Sequence, residues 1–459
     1  MKTLHFFHTN DWHSHFENWS RLVTYLHIER ERLDQAGEPY LTLDLGDHMD
    51  RVNPMTEGLL GKGNVQLLNE ADYDYVTLGN NEGITFTKAQ LAAAYQDRRF
   101  QIVLANLYNQ DGKRPQWATP YQIADMQGVK VGLIGLTAAF PKFYELLGWS
   151  IRDPYDTLKS LIPQIRPQVD VLILMSHVGL PFDQHVAEEL SGIDVIIGAH
   201  THHVLEQGKM VDGTLIAQAG KWGVYAGKIT IDYDQQRRQI VHKGADLVTL
   251  RESPDRHTDL LLGELTQAGV SHMQQHVTRL NHALEVNWFK ACELTTWMAD
   301  ALRNWCKTEI GLVNAGVILN GLPAGDVTRY MIHRICPHPI NPCEVTLSGE
   351  ELIEIITCGL SPDFQNYALK GFGFRGKVLG KLVFSNLDYQ TDIRDGQLEV
   401  VNIAVSGVPL DLRRRYTVGT IDMFTLGHFL PPIVRAKQRF FLPETLRDLL
   451  VWQLQNRTS

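Results

Sequence analysis

The 459-residue sequence predicts an α/β domain followed by a smaller α+β domain. Three observations carry this. The apolar runs of the first half are short and rich in Val, Ile and Leu, as strands buried on both faces are. Helix-period stretches separate them, the mark of a layered α/β fold. From about residue 288 the order changes, with helices and strands mixed in an α+β pattern.

In order, "TLHFFHTN" reads as a strand and "WSRLVTYLHIERERL" as an amphipathic helix. "YLTLDLGD", "YDYVTLGN", "QIVLANL", "VKVGLIGL", "VDVLILMSH" and "IDVIIGAH" read as further strands, and "KITIDYD" and "ADLVTL" close the domain near residue 250. Residues 251–287 are polar with helical periodicity and read as a linker helix, which Ser253 or Asp255 would cap. In the second domain, residues 288–459, "ACELTTWMADALRNWC" and "SGEELIEIITCGL" read as helices. "EIGLVNAGVIL", "KLVFSNL", "LEVVNIAV" and "RRYTVGTID" read as strands.

The net charge of −9 comes without a long basic run, which argues against a nucleic-acid surface. No apolar run approaches the ~18 residues of a membrane span. The opening "MKTLHFFHTNDWHSH" lacks the long apolar region of a secretion signal, so a cytosolic protein is expected. The five cysteines, odd in number and without CxxC spacing, fit reduced thiols. No protein partner can be inferred.

The polar residues of the first domain gather at the C-terminal ends of its strands, where ligands bind in open α/β sheets. The first strand delivers Asp11 and His13, the second Asp47, the third Asn80. "VLILMSH" delivers His177, and "VIIGAHTHH" delivers His200 and His202. Carboxylates, an amide oxygen and imidazoles together suit two divalent cations of the Mn, Fe or Zn kind. One Asp can bridge both ions.

This ordered set, D-x-H, G-D, G-N, H and G-H-x-H, resembles the calcineurin-like metallophosphoesterases. "HTNDWHSHFEN", "LTLDLGDHMD", "YVTLGNNE" and "IDVIIGAHTHH" are similar to the 5′-nucleotidase, UDP-sugar hydrolase and 2′,3′-cyclic-nucleotide phosphodiesterase family. "VNAGVILNGLPAGDVT" and "CEVTLSGEELIEII" resemble that family's C-terminal substrate domain. The resemblance implies a four-layer α/β/β/α sandwich plus the substrate domain. It implies that Asp11, Asp47 and His202 bind one ion with His13 in support, that Asn80, His177 and His200 bind the other, and that Asp47 bridges. The implied reaction is in-line attack of metal-bound hydroxide on a phosphate ester, with a nucleotide as the expected small-molecule substrate. Cyclic-nucleotide or sugar-nucleotide hydrolysis, and a weakly active nucleotide sensor, are the alternatives.

The chain departs from the family in two places. The family's Gly-Asn-His-Glu turn reads Gly79-Asn80-Asn81-Glu82 here. The family's histidine stabilises the transition state and helps the leaving group. Asn81 can donate a hydrogen bond but no proton, so a steep dependence on the leaving group is expected unless His48 or His15 compensates. In the second domain, the Asn-Gly-Gly-Gly-Ile-Arg loop reads Asn314-Ala315-Gly316-Val317-Ile318-Leu319, and the Pro-Phe-x-Asn segment holds His338. "KGFGFRGK" puts Phe372 and Phe374 on one face of an expected strand, with Arg375 beside them, as a base-stacking and phosphate-holding set.

Overall fold

The computed structural model describes residues 1–394 and 397–456. The chain forms two compact units, Met1–Gly269 and Val270–Ser459.

Two sheets build the first unit. In one, strand Lys2–Thr9 pairs in parallel with Tyr40–Asp44, which is followed by Tyr75–Val76, Gln101–Val103 and Ala118–Thr119. On its other side Lys2–Thr9 pairs antiparallel with Tyr225–Asp234, and that strand with Gln239–Thr249. In the other sheet Val171–His177 lies between Val129–Thr137 and Val195–Gly198, both parallel to it. The sheets face each other through Leu4, Phe6, Leu43, Val131, Leu133, Ile173, Met175 and Ile197, all buried. Alternate residues of the second sheet, such as Leu172, Leu174 and Ile196, pack on the opposite face among Leu158, Ile162, Ile165 and Val186. Those residues belong to helices Pro154–Ile165 and Leu180–Glu189. The uninterrupted apolar runs of the sequence follow from this burial on both faces. Helix Trp19–Ala36 covers the first sheet, where Arg30 hydrogen-bonds Thr42 and the carbonyls of Ala71 and Asp72. The architecture is the expected four-layer sandwich.

The expected linker helix is shorter in the structure. Helix Arg256–His272 contains the boundary between the units, and the chain after it forms strand His276–Leu280, paired with Gly325–Thr328. The β-branched Val277 and Thr278 favour that strand over a continued helix.

In the second unit, strand Ile310–Asn314 lies between Leu382–Ser385 and Arg415–Ile421, and Pro342–Ser348 and Gln438–Phe440 complete the sheet. Helix Glu293–Cys306 buries Leu294, Trp297, Met298 and Leu302. Helix Gly349–Leu360 starts with a capping box in which Ser348 Oγ accepts from Glu351 N and the Glu351 carboxylate accepts from Ser348 N. Among the described residues no helix is long and apolar enough to cross a membrane.

Candidate metal centre

Strand ends and the turns after them carry the candidate ligands. Asp11 and His13 follow Lys2–Thr9, Asp47 follows Tyr40–Asp44, and Asn80 opens helix Asn80–Thr85. His177 ends its strand, while His200 and His202 follow Val195–Gly198. Five of these residues hold the left-handed conformation that side chains disfavour, with φ of 53° at Asp11, 47° at His13, 49° at Asp47, 70° at His200 and 57° at His202. Such residues persist only where their surroundings over-determine them.

Here the turns pin one another. Asp11 N donates to Gly46 O (3.0 Å), His13 N to Asp47 O (2.8 Å) and Trp222 N to Asp11 O (2.9 Å). The Asn10 amide donates to the Asp11 carboxylate (2.8 Å) and to Gly220 O (2.7 Å), and it accepts from Ala219 N (3.0 Å). His200 N donates to the same carboxylate at 3.0 Å. Two glycines let the second and third turns touch. A Cβ on Gly46 would stand 2.2 Å from Gly79 N, and one on Gly79 would stand 2.0 Å from Asp47 Oδ1. Buried Glu82 ties the same turns together, accepting from the backbone N–H groups of Asp47, Met49 and Gly79. Burial and the neighbouring Asp47 raise its pKa to about 7.

Two ligand groups result, Asp11 with His13 and His202, and Asp47 with His177 and His200; in each the ligand atoms lie within 4.8 Å of one another. In the first, His202 Nε2 is 3.3 Å from Asp11 Oδ1. In the second, His177 Nε2 is 3.4 Å from Asp47 Oδ1. The other oxygen of Asp47 lies 3.8 Å from His13 Nε2, so this carboxylate faces both groups. His177 Nδ1–H donates to Leu45 O at 2.6 Å, which turns Nε2 toward Asp47. That Nε2 atom and Asn80 Oδ1 are buried without a hydrogen-bond partner. Buried ligand atoms without a hydrogen-bond partner beside two carboxylates fit divalent cations, which would displace the His177 proton, as their partners.

Burial opposes ionisation of Asp11 and Asp47, yet the surrounding imidazoles hold both carboxyls below the usual range. The converse holds at His177: burial lowers its pKa, but Asp47 and Asp11 lift it to about 10. Burial, joined by repulsion from His177, takes His200 down to about 4. Negative charge is thus concentrated where cations would compete with protons for the same nitrogens.

The structure separates the other sequence candidates. Asn81 lies at the centre, its side chain 2.8 Å from His13 Nδ1 and its backbone N–H 2.8 Å from Asp47 Oδ1. His48 does not join the ligands. Its buried ring packs 5.1 Å from Trp19 and 5.7 Å from Phe16, and burial lowers it to about 3, so it is a neutral core group rather than a proton donor. His15 is half-buried, 4.8 Å from the ring of Trp222.

In the second unit, Asn314 is buried and donates to Leu379 O at 2.7 Å. The expected strand at 370–377 is instead a turn bridged between Gly371 and Phe374. Phe374 is buried and stacks on His338 with centroids 5.4 Å apart. His338 is itself buried, donating to Val317 O at 2.8 Å and accepting Arg375 N at 2.9 Å. Both rings are therefore part of the packing and cannot stack on a ligand. Phe372 is exposed, with φ 53°. Its ring and that of exposed Tyr367 each lie 6.4 Å from Phe429. Arg375 Nη1 donates to Phe374 O at 3.3 Å. Sequence reasoning missed Asn10 and Glu82 as supports, although Glu82 stands at the capping-box position after Gly79.

Residues 4–204 match the calcineurin-like phosphoesterase family, and residues 268–429 match the 5′-nucleotidase C-terminal domain. An uncharacterized metallophosphoesterase of Bacillus subtilis (strain 168), YunD, is 41% identical over 456 residues, which cover 98% of this chain and 99% of that protein. Two solved structures share the fold. One is a 5′-nucleotidase precursor from Thermus thermophilus, with TM-score 0.61, 22% identity and coverage of 99% of this chain and 96% of that one. The other is the NAD nucleotidase of Haemophilus influenzae, with TM-score 0.69, 15% identity and coverage of 99% and 97%.

Proposed function

Because the chain belongs to the calcineurin-like phosphoesterases and carries a 5′-nucleotidase C-terminal domain, we propose that it hydrolyses phosphate esters of nucleotides with two divalent cations of the Mn, Fe or Zn kind. The observation that carries the reading is the pair of ligand groups, with the Asp47 carboxylate of one facing His13 of the other. Asp11, His13 and His202 would hold one cation; Asn80, His177 and His200 would hold the other, with Asp47 common to both. When bound, the cations neutralise phosphoryl charge and lower the pKa of water.

The chain's own residues supply order. Leu45 O selects the tautomer of His177, and the left-handed turns fix Asp11, Asp47 and His202 before substrate arrives. Preorganised charge of this kind contributes to catalysis because nothing has to reorient during the reaction. Asn80 adds an oxygen without adding negative charge. In the second unit, the exposed rings around Phe429 are the surface proposed for a nucleobase. The proposal extends to a cytosolic location, supported by the five free thiols.

The test uses full-length protein stripped with a chelator and assayed with Mn²⁺, Zn²⁺ or Fe²⁺. The substrates are nucleoside 5′-monophosphates, a 2′,3′-cyclic nucleotide, a UDP-sugar, a simple sugar phosphate and an aryl phosphate. Turnover is expected to return with metal and to favour a nucleotide over a simple sugar phosphate. No hydrolysis of any ester with any ion would overturn the reading.

A further inference from the structure

We propose that Asn81 is a positioning residue that holds ligands of both metal sites, rather than a group that touches the substrate. Its side chain meets Nδ1 of His13 at 2.8 Å, and its backbone N–H meets Asp47 Oδ1 at 2.8 Å. His13 belongs to one ligand group and Asp47 to the other. Thr85 Oγ1 donates to the Asn81 carbonyl at 2.5 Å and steadies the turn from behind.

The chemistry explains why an amide stands here. An imidazole that offers Nε2 to a cation carries its proton on Nδ1, and that proton needs an acceptor. In the structure Asn81 Nδ2 faces Nδ1 at 2.8 Å, and a half-turn of the amide presents Oδ1 as that acceptor. Without a cation, Nε2 can keep the proton toward His202 Nε2, 3.1 Å away, and Nδ1 then needs a donor. The same side chain supplies that through Nδ2, in the orientation seen in the structure. A carboxylate only accepts. Asn80 Nδ2 reaches Asn81 Oδ1 at 3.5 Å, too far to lock the amide in one orientation. The Asp50 carboxylate stands 3.7 Å from His13 Nδ1, an ion-pair partner farther off than the amide.

The inference rests on the two-cation reading above, and the experiment separates the two. Full-length protein stripped with a chelator is titrated with Mn²⁺ by calorimetry, and bound metal is counted by mass spectrometry. In wild type two ions bind; no uptake at all would overturn the two-cation reading itself. Asn81→Ala keeps the backbone N–H on Asp47 and removes only the amide. One of the two ions is expected to bind about 10–100-fold more weakly, while the other keeps its affinity. Asn81→Asp, an acceptor for Nδ1–H, is expected to restore most of that affinity. In a His13→Ala background, Asn81→Ala is expected to cost nothing further. At saturating Mn²⁺, any fall in kcat should be equal for aryl and alkyl phosphates. Asn81→Ser serves as the second variant, with the same one-site loss expected, should the alanine variant fail to fold. Two unchanged Mn²⁺ affinities, with a kcat loss that grows with leaving-group basicity, would overturn the proposal and return Asn81 to the reacting atoms.

Discussion

Replacing Gly79 with alanine tests whether the contact between two turns sets the metal centre. Gly79 has φ −86° and ψ 175°, a conformation open to any residue, so backbone strain does not enter. Space does. The new Cβ would lie 2.0 Å from Asp47 Oδ1 and 2.2 Å from Asp47 N, whereas ordinary contact begins near 3.4 Å. Asp47 or the Gly79 turn must therefore move by about 1.4 Å, the difference between these distances. Displacing a catalytic group by about 1 Å can cost ~100-fold in rate, or about 2.7 kcal/mol of transition-state stabilisation. Alanine at this N-cap adds about 1 kcal/mol of lost stability. The assay is kcat/KM on an aryl phosphate with Mn²⁺, together with metal content and the melting temperature. A fall of ~100-fold or more, with less than two ions retained, is expected. Gly263 is the control, because a Cβ there meets nothing within 4 Å. Gly263→Ala should keep full activity and gain about 0.5–1 kcal/mol of stability from the helix. A Gly79→Ala enzyme with two ions and wild-type kcat/KM would refute the argument that this close approach places Asp47.

Other outcomes follow from the same structure. Asp47→Asn, nearly isosteric, removes the charge that faces both ligand groups; it should lose at least one ion by mass spectrometry and nearly all aryl phosphate hydrolysis, and two ions with full turnover would contradict the bridging role. Phe372→Ala should raise KM for a nucleoside monophosphate and leave an aryl phosphate unaffected. Phe374→Ala, by contrast, should destabilise the fold by about 3–5 kcal/mol in a denaturant titration, because that ring is buried on His338. Burial lifts Asp422 from 3.8 to about 7, so between those values the folded protein holds a proton that the unfolded chain releases. Its contribution to stability is full below pH 3.8 and is lost as pH rises through about 7, at about 1.4 kcal/mol per pH unit in between. Asp422→Asn should flatten that slope in melts recorded across this range; an unchanged slope would assign the dependence to other groups.

The sandwich and the clustering of its candidate ligands were legible because both follow from local pattern. Parallel strands buried on both faces are mostly apolar, so the polar residues that follow each run mark a strand end, and Asp11, Asp47, Asn80, His177 and His200 lie at or just past such ends. The linker was less legible. Polar residues with some helical spacing ran on past His272, and the alternation in "HVTRL" was too short to outweigh them. In "KGFGFRGK" the two-residue spacing of Phe372 and Phe374 suggested one strand face. Gly371 and Gly373, with φ of 89° and 76°, and Phe372 at 53°, turn the chain instead. The rule that residues i and i+2 share a face holds only for extended backbone, so one ring points to solvent and the other into the core. The Gly-x-Gly spacing was the available warning.

The roles of His48 and Asn81 were illegible for a different reason. Adjacency in sequence placed His48 beside Asp47, but Asp47 has φ 49° and the chain bends there, so the carboxylate faces the ligands while the next side chain enters the Phe16 and Trp19 cluster. Asn81 was read by comparison with a histidine that meets substrate, as if position fixed partner. Its partner is set by His13, 68 residues away, whose own left-handed turn brings Nδ1 within 2.8 Å of the amide. A strand pattern announces which residues reach an edge. It is silent on the conformation of the turn that follows, and in this centre the turns decide which atoms meet. The left-handed turns that hold Asp11, His13, Asp47, His200 and His202 cost about 1–3 kcal/mol each, and hydrogen bonds from one turn to the next hold them there. Substitutions at those supports, Asn10, Glu82 and Asn81 among them, are therefore expected to act on metal affinity before they act on the chemical step.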